Sequence, residues 1–287
     1  MRCFVTGWDG LLGSSLVPIL REAHEVTGIG IADGEITDRA LLRARLAAAR
    51  PEVVVHLAAM TAVDRCETEP AEAFRVNGEG TRRVVEAVRE IGARLVALST
   101  DYVFDGAAGR PYRESDPVAP LGVYGKSKLE AERAVATLEG EGTVVRSAWL
   151  FGPKGSNFVE TILTLLESRE TVGVVEDQRG CPTYTPDLAR ALRTVVERAP
   201  GGVFHLAGGE SATWYDLARE AVSLAGGDPA RIRPVSTEAF GRPAPRPRYS
   251  VLDCAKASRE MGIRLAPWRD ALERFLAGRT GAKETRT

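Results

Sequence analysis

Six short runs of apolar, largely β-branched residues recur along the chain: RCFVTG at 2–7, EVTGIG at 25–30, EVVVHLAA at 52–59, ARLVALST at 93–100, GTVVRSAWLF at 142–151 and GGVFHLAG at 201–208. They are continuously apolar rather than alternating, which is the pattern of strands covered on both faces. Between them, ALLRARLAAAR, GTRRVVEAVREI and PDLARALRTVVERA space apolar residues three and four apart, as amphipathic helices do. The alternation predicts an α/β fold: a Rossmann-type, doubly wound parallel sheet with crossover helices on both faces. After residue 208 the rhythm stops, leaving a helical TWYDLAREAVSLAG, a proline- and arginine-rich FGRPAPRPRYSVLD and a last helix in WRDALERFLAG. The expected organisation is a sheet domain over 1–150 and 181–206, a smaller C-terminal region over 151–180 and 207–278, and a flexible tail over 279–287. Pro18 falls inside the helix that should follow the first strand and predicts a kink there.

Composition narrows the chemistry by exclusion. The 287 residues carry 38 basic and 39 acidic side chains, a net charge of −1, which supplies no basic field for nucleic acid. No run of eighteen apolar residues occurs, and the first residues turn glycine-rich before an apolar leader could be completed. The expectation is a cytoplasmic protein with no membrane or nucleic-acid partner. Cysteines at 3, 66, 181 and 254 form no C-x-x-C pair and lie apart from the histidines at 24, 56 and 205, so no metal site is legible. Cys3 and His56 fall within apolar strands, as a buried thiol and a hydrogen-bonded core imidazole.

Two patterns carry candidate chemistry. VTGWDGLLG sets Gly7, Gly10 and Gly13 directly after the first strand, where a helix begins. There the first glycine permits a tight turn, the second lets backbone approach a pyrophosphate, and the third lets the helix pack on the sheet, with the anion held by helix N-terminal amides. VYGKSKLEAERA sets Tyr124 four residues before Lys128, on one helix face. An ammonium beside a phenol favours the phenolate and brings the pair within reach of acid–base work. A plain surface helix with a half-buried tyrosine and a solvated lysine would have the same spacing.

The glycine spacing, Tyr124-x-x-x-Lys128 and Thr100 at the end of the fourth strand together resemble the extended branch of the short-chain dehydrogenase/reductase superfamily. HLAAMTAVDRCETEP (56–70), STDYVFDG (99–106), RSAWLFG (146–152), GSNF (155–158), DQRGCPT (177–183) and RPRYSVLD (246–253) narrow this. Across nearly the whole chain they resemble the dTDP-4-dehydrorhamnose reductase family. The resemblance implies reduction, by a reduced nicotinamide, of the C4 ketone of a 4-keto-6-deoxy-L-sugar on thymidine diphosphate. It implies Tyr124 as general acid, Lys128 on the nicotinamide ribose and lowering the phenol's pKa, and Thr100 on the ketone. Leu11 and Leu12 with the three glycines, Ala58, Ala59, Thr61 and Asn77 would lie along the cofactor, with Glu35 and Ile36 beside the adenine. Val63, Asp101, Val103 and Trp149 would contact the substrate, with Gln178 and Arg246 at the nucleotide diphosphate. Thr100 reads equally as a strand-end turn cap, Arg246 as a solvated arginine, and Trp149 as core.

Departures from family patterns refine the expectation. Thr100 is followed by Asp101-Tyr102 rather than the Asp-Glu pair of nucleotide-sugar dehydratases, which disfavours dehydration. Ser15 and Pro186 stand where a metal-bridged dimer would need glutamates, so a monomer or a weak homodimer is expected. The second strand ends in uncharged Thr27, Gly28 and Gly30, so both NADPH and NADH should be accepted, with a modest preference for NADPH that the resemblance alone implies. Another nucleotide-sugar ketoreductase, or an epimerase, would keep every motif. A non-catalytic subunit resembling the regulatory β subunit of methionine adenosyltransferase would keep the fold.

Overall fold

The structure, a computed structural model, describes residues 1–284, the side chains of 280–284 excepted. Strands β1 (Arg2–Thr6), β2 (Glu25–Ile29), β3 (Val53–His56), β4 (Arg94–Thr100), β5 (Gly142–Ser147) and β6 (Gly202–His205) form one sheet in the order 2-1-3-4-5-6. Every pairing in it is parallel. All six expected strands are present, and the period of two explains why their sequences are apolar throughout. Cys3, Val5, Val53, Val55 and Val96 point into one core, while Phe4, Val54, Leu95 and Ala97 point into the other.

Helices close both faces. On the first, α1 (Gly13–Arg21) contributes Leu16 and Leu20. On the second, α2 (Arg39–Ala49), α3 (Gly80–Ile91) and α4 (Val123–Ala136) contribute Leu42, Leu46, Val84, Val88 and Val135. Asp38 starts α2 by accepting from the amides of Ala40 and Leu41 at 2.9 and 3.0 Å. Helix α1 runs through Pro18, which lies on its solvent side.

The run expected as one strand over 142–151 is two. β5 ends at Ser147, Trp149 adopts a left-handed φ of 48°, and Leu150–Phe151 pairs instead with Thr183–Tyr184. The chain there leaves the sheet for the second region, where α5 (Phe158–Ser168) begins under an Asn157 cap. Helix α6 (Thr185–Arg198) returns to pack beside α1 through Leu188, Leu192 and Val195. Helix α7 (Trp214–Leu224) opens on a Thr213/Asp216 capping box and shares a core with Phe151, Trp268 and Phe275. Ala257, Met261 and Ile263 rejoin the first sheet core, so the chain revisits that half within the stretch assigned to the second region. The last helix, α8, spans Trp268–Glu284 and continues past the boundary expected at 278; residues 285–287 lie outside the described residues.

Candidate active site

Strand order reverses between β1 and β3, and open α/β sheets bind ligands at the carboxyl ends of the strands flanking that point. Gly7 turns there with φ +70°, and a Cβ on it would lie 2.8 Å from the amide nitrogen of Ala58. Gly13 allows a second close approach, since its Cβ would lie 2.2 Å from the Gly7 carbonyl oxygen. The turn therefore feeds straight into the N-terminus of α1, an anion-binding end. A cavity of about 740 Å³ opens over it and runs along the strand ends to β5. That volume suits a cofactor.

The expected cofactor residues mostly line this cavity: Gly7, Gly10, Leu11, Leu12 and Gly13 at the turn, Ala58, Ala59 and Thr61 after β3, and Glu35 and Ile36 at the outer end. Asn77 does not. Its Oδ1 accepts from Met60 N at 2.8 Å and its Nδ2 donates to Met60 O and Ser127 Oγ at 3.1 and 2.9 Å. Asn77 thus pins the 58–61 loop to α4 from behind. His56, level with it in the core, bonds Thr6 and Thr81, and burial pushes its pKa down to about 3, so it stays neutral.

At the inner end, Thr100 closes β4 and accepts from Tyr102 N at 3.1 Å, the strand-end cap also anticipated for it. Gly125 lets α4 rest directly on the turn that follows, because a Cβ there would meet the Tyr102 carbonyl oxygen at 2.1 Å. This contact brings Tyr124 beside Thr100 and sets the Tyr102 ring edge-on to Tyr124 at 5.9 Å. Thr100, Asp101, Tyr124, Val63 and Trp149 all line the cavity.

The electrostatics correct one expectation. Burial holds the Tyr124 phenol above its ordinary pKa; the Thr100 hydroxyl pulls it down and the Asp101 charge lifts it further. Lys128 does not act on it, because its ammonium lies beneath the sheet end and donates to the Leu98 carbonyl at 2.7 Å. Burial lowers Lys128 to about 8, with Glu132 opposing. Tyr124 therefore rests as a neutral phenol, the form that donates a proton. Burial likewise raises Asp101 to about 7, partly offset by the nearby Ser250 and Thr100 hydroxyls; Thr100 donates to Oδ1 at 3.1 Å, and Oδ2 has no partner among the described residues.

Three expected substrate residues stand outside the cavity wall. Val103 is fully buried in a core with Phe104 and Leu252. Gln178 is buried and donates to Thr237 Oγ1 at 2.9 Å. Arg246 is neither solvated nor free: it donates to Asp64 Oδ1 at 2.9 Å and to Ala244 O at 2.8 Å. Asp64, which also pairs with Arg242 at 3.0 Å, ties the proline-rich loop to the segment after β3.

Sequence reasoning missed several residues in the wall. Trp214 stacks on Trp149 at 3.6 Å with an interplanar angle of 5°, and Phe158 packs on Trp214 at 4.5 Å. Ser147 sits beside Thr100 in strand register, buried, with no partner for its Oγ among the described residues. Asp9 and Arg75 line the outer end. Under the site, Glu132 and Arg146 form a buried pair at 2.7 Å. The four cysteines are free, and no group of metal-ligating side chains occurs among the described residues.

A doubly wound parallel sheet, a glycine turn at its switch point and a Thr–Tyr–Lys group where α4 meets β4 define a dinucleotide-dependent oxidoreductase of the extended short-chain dehydrogenase/reductase class. Residues 1–280 match the family described as RmlD substrate binding domain. The dTDP-4-dehydrorhamnose reductase of Streptomyces griseus is 48% identical over 290 residues, covering 98% of this chain and 95% of the relative. The dTDP-4-keto-6-deoxy-D-glucose reductase of Streptomyces niveus is 44% identical over 274 residues, covering 94% and 95%. The crystal structure of dTDP-4-dehydrorhamnose reductase from Bacillus anthracis, in complex with NADP, superposes with a TM-score of 0.93 at 34% identity, covering 96% of this chain and 99% of that one. This chain belongs to the dTDP-4-dehydrorhamnose reductase family.

Proposed function

We propose that this protein reduces the C4 ketone of dTDP-4-dehydro-6-deoxy-L-mannose to dTDP-L-rhamnose, using NADPH and also accepting NADH. The observation that carries this reading is that Tyr124 and Thr100 together line a cofactor-sized cavity built on a dinucleotide turn. The sheet domain holds the dinucleotide and the C-terminal region holds the nucleotide sugar. We assign the reaction to the cytoplasm, as the sequence reading expects.

Bound reduced nicotinamide supplies the hydride. The chain's own groups do the rest. Thr100 and Tyr124 converge on the ketone oxygen, Thr100 orienting it and Tyr124 giving it a proton as charge develops. Lys128 holds the ribose hydroxyls, its ammonium turning from the Leu98 carbonyl to reach them. Asp101 Oδ2 and Trp149 Nε1, both buried without partners among the described residues, are free to bond the sugar hydroxyls. The stacked Trp149–Trp214 wall excludes water beside them.

Because the Lys128 ammonium is lost through a pKa of about 8, kcat/KM should fall above that pH, by about tenfold per unit. A kcat/KM profile flat to pH 10 would remove Lys128's charge from the mechanism; that limit is about two units above the lysine's value.

A second reading follows from the Streptomyces niveus relative, whose substrate is the D-gluco ketone. NADPH oxidation assayed with both epimeric ketones separates the two. The first reading predicts kcat/KM at least about tenfold higher for the L-sugar, ~1.4 kcal/mol in transition-state binding. The reverse order would favour the second.

A further inference from the structure

In many dinucleotide sites the acidic residue that binds the adenosine ribose stands at the end of the second strand. Here that end is Gly28-Ile29-Gly30 and carries no charge. The structure supplies a carboxylate to the same place from the glycine turn. Asp9 lies so close to Gly30 that a Cβ on that glycine would be 2.3 Å from Asp9 Oδ2 and 2.5 Å from Oδ1. Gly28 makes the matching space for Trp8, its Cβ falling 3.0 Å from the indole. The corner is pinned by the amides of Gly7 and Trp8, which donate to Ile29 O at 2.8 and 3.4 Å. The two glycines that leave the strand end uncharged are thus what admit Asp9 to it.

The Asp9 carboxylate is uncommitted. It is exposed, lines the outer end of the cavity, and makes no hydrogen bond or ion pair with another described residue. Asp33, the other nearby acid, is turned to the backbone and accepts from Gly30 N at 2.8 Å. Arg75 is the one cation among the described residues lining the cavity, and its guanidinium is already held by Glu72 at 2.7 and 2.8 Å and by Glu35 at 2.6 Å. The adenosine end is therefore net negative, and its one free charged group is a carboxylate.

We propose that Asp9 is the residue that sets cofactor preference: it accepts hydrogen bonds from the ribose 2′-hydroxyl of NADH and repels the 2′-phosphate of NADPH. This rests on the dinucleotide reading above and explains how a site for NADPH admits NADH.

The test needs no turnover. Calorimetry with adenosine 5′-monophosphate and adenosine 2′,5′-bisphosphate compares the adenosine halves of the two cofactors in the wild-type protein, Asp9→Asn and Arg75→Ala. Asp9→Asn should shift the affinity ratio at least about tenfold toward the bisphosphate, ~1.4 kcal/mol, and the shift should shrink with added salt because the charge is exposed. An unchanged ratio overturns the proposal. So does a ratio that moves in Arg75→Ala alone, which would assign the phosphate to that guanidinium. If the wild-type protein binds neither ligand, the dinucleotide reading itself fails and the role of Asp9 falls with it; a wild-type protein that binds both, with no response in Asp9→Asn, overturns only the inference.

Discussion

Replacing Tyr124 with phenylalanine lowers turnover by at least about a hundredfold, the usual cost of removing a general acid, and leaves dinucleotide affinity close to that of the parent. The expectation follows from where the hydroxyl sits. It is the part of the side chain that meets Thr100, while the ring keeps its edge-on contact with Tyr102 at 5.9 Å and needs no oxygen for it. Burial keeps the phenol protonated at neutral pH, so the parent enzyme holds the donor form ready and the variant has no donor. Single-turnover rates with saturating NADPH, together with fluorescence titration of the cofactor, separate the chemical defect from binding. Turnover within about threefold of the parent would exclude Tyr124 as the acid, since a general acid contributes far more.

The second large effect is on stability. Glu132 accepts two bonds from the Arg146 guanidinium, at 2.9 and 2.7 Å, and one from Ser99 Oγ, with the pair's side chains only 5% and 8% exposed. Arg146 also lies 5.1 Å above the Phe104 ring and beside His205, which burial keeps neutral by pushing its pKa down to about 3. Glu132→Ala leaves that guanidinium buried without a counter-charge, at a cost of ~3–5 kcal/mol. Such a loss is a large share of the ~5–15 kcal/mol that holds a typical domain folded. Urea unfolding should report it as a lower midpoint, and a loss under ~1 kcal/mol would mean that water reaches Arg146. Glu132 also raises the Lys128 pKa, so the alkaline limb of kcat/KM should move to lower pH in the same variant.

Features set by local sequence are legible in the sequence itself. Strands buried on both faces have to be apolar at consecutive positions, and β1 and β3 are. The glycine turn was legible because its three glycines lie within seven residues, and Tyr124 and Lys128 because one helical turn joins them. What the spacing could not give was direction. It brought Lys128 to the same helix face as Tyr124, yet the ammonium turns to Leu98 and leaves the phenol to burial and Thr100. Residues assembled from distant segments were not legible at all. Trp149 meets Trp214 only because the chain breaks β5 at a left-handed residue, and Asp9 meets Gly30 only because β1 and β2 pair in register. Arg246 shows the limit of residue type as a guide. A guanidinium between prolines suits a diphosphate, but in the fold its nearest anion is Asp64, at 2.9 Å.

The central claim is a hydride delivered to C4 of the dTDP-bound ketone with a proton from Tyr124 to its oxygen. NADPH carrying deuterium at the transferable nicotinamide position tests it in one reaction with dTDP-4-dehydro-6-deoxy-L-mannose. The account predicts dTDP-L-rhamnose with the deuterium on the sugar's C4, seen by NMR and mass spectrometry, and no product from Tyr124→Phe over the same period. Deuterium at another carbon, or unlabelled reduced product, would contradict it.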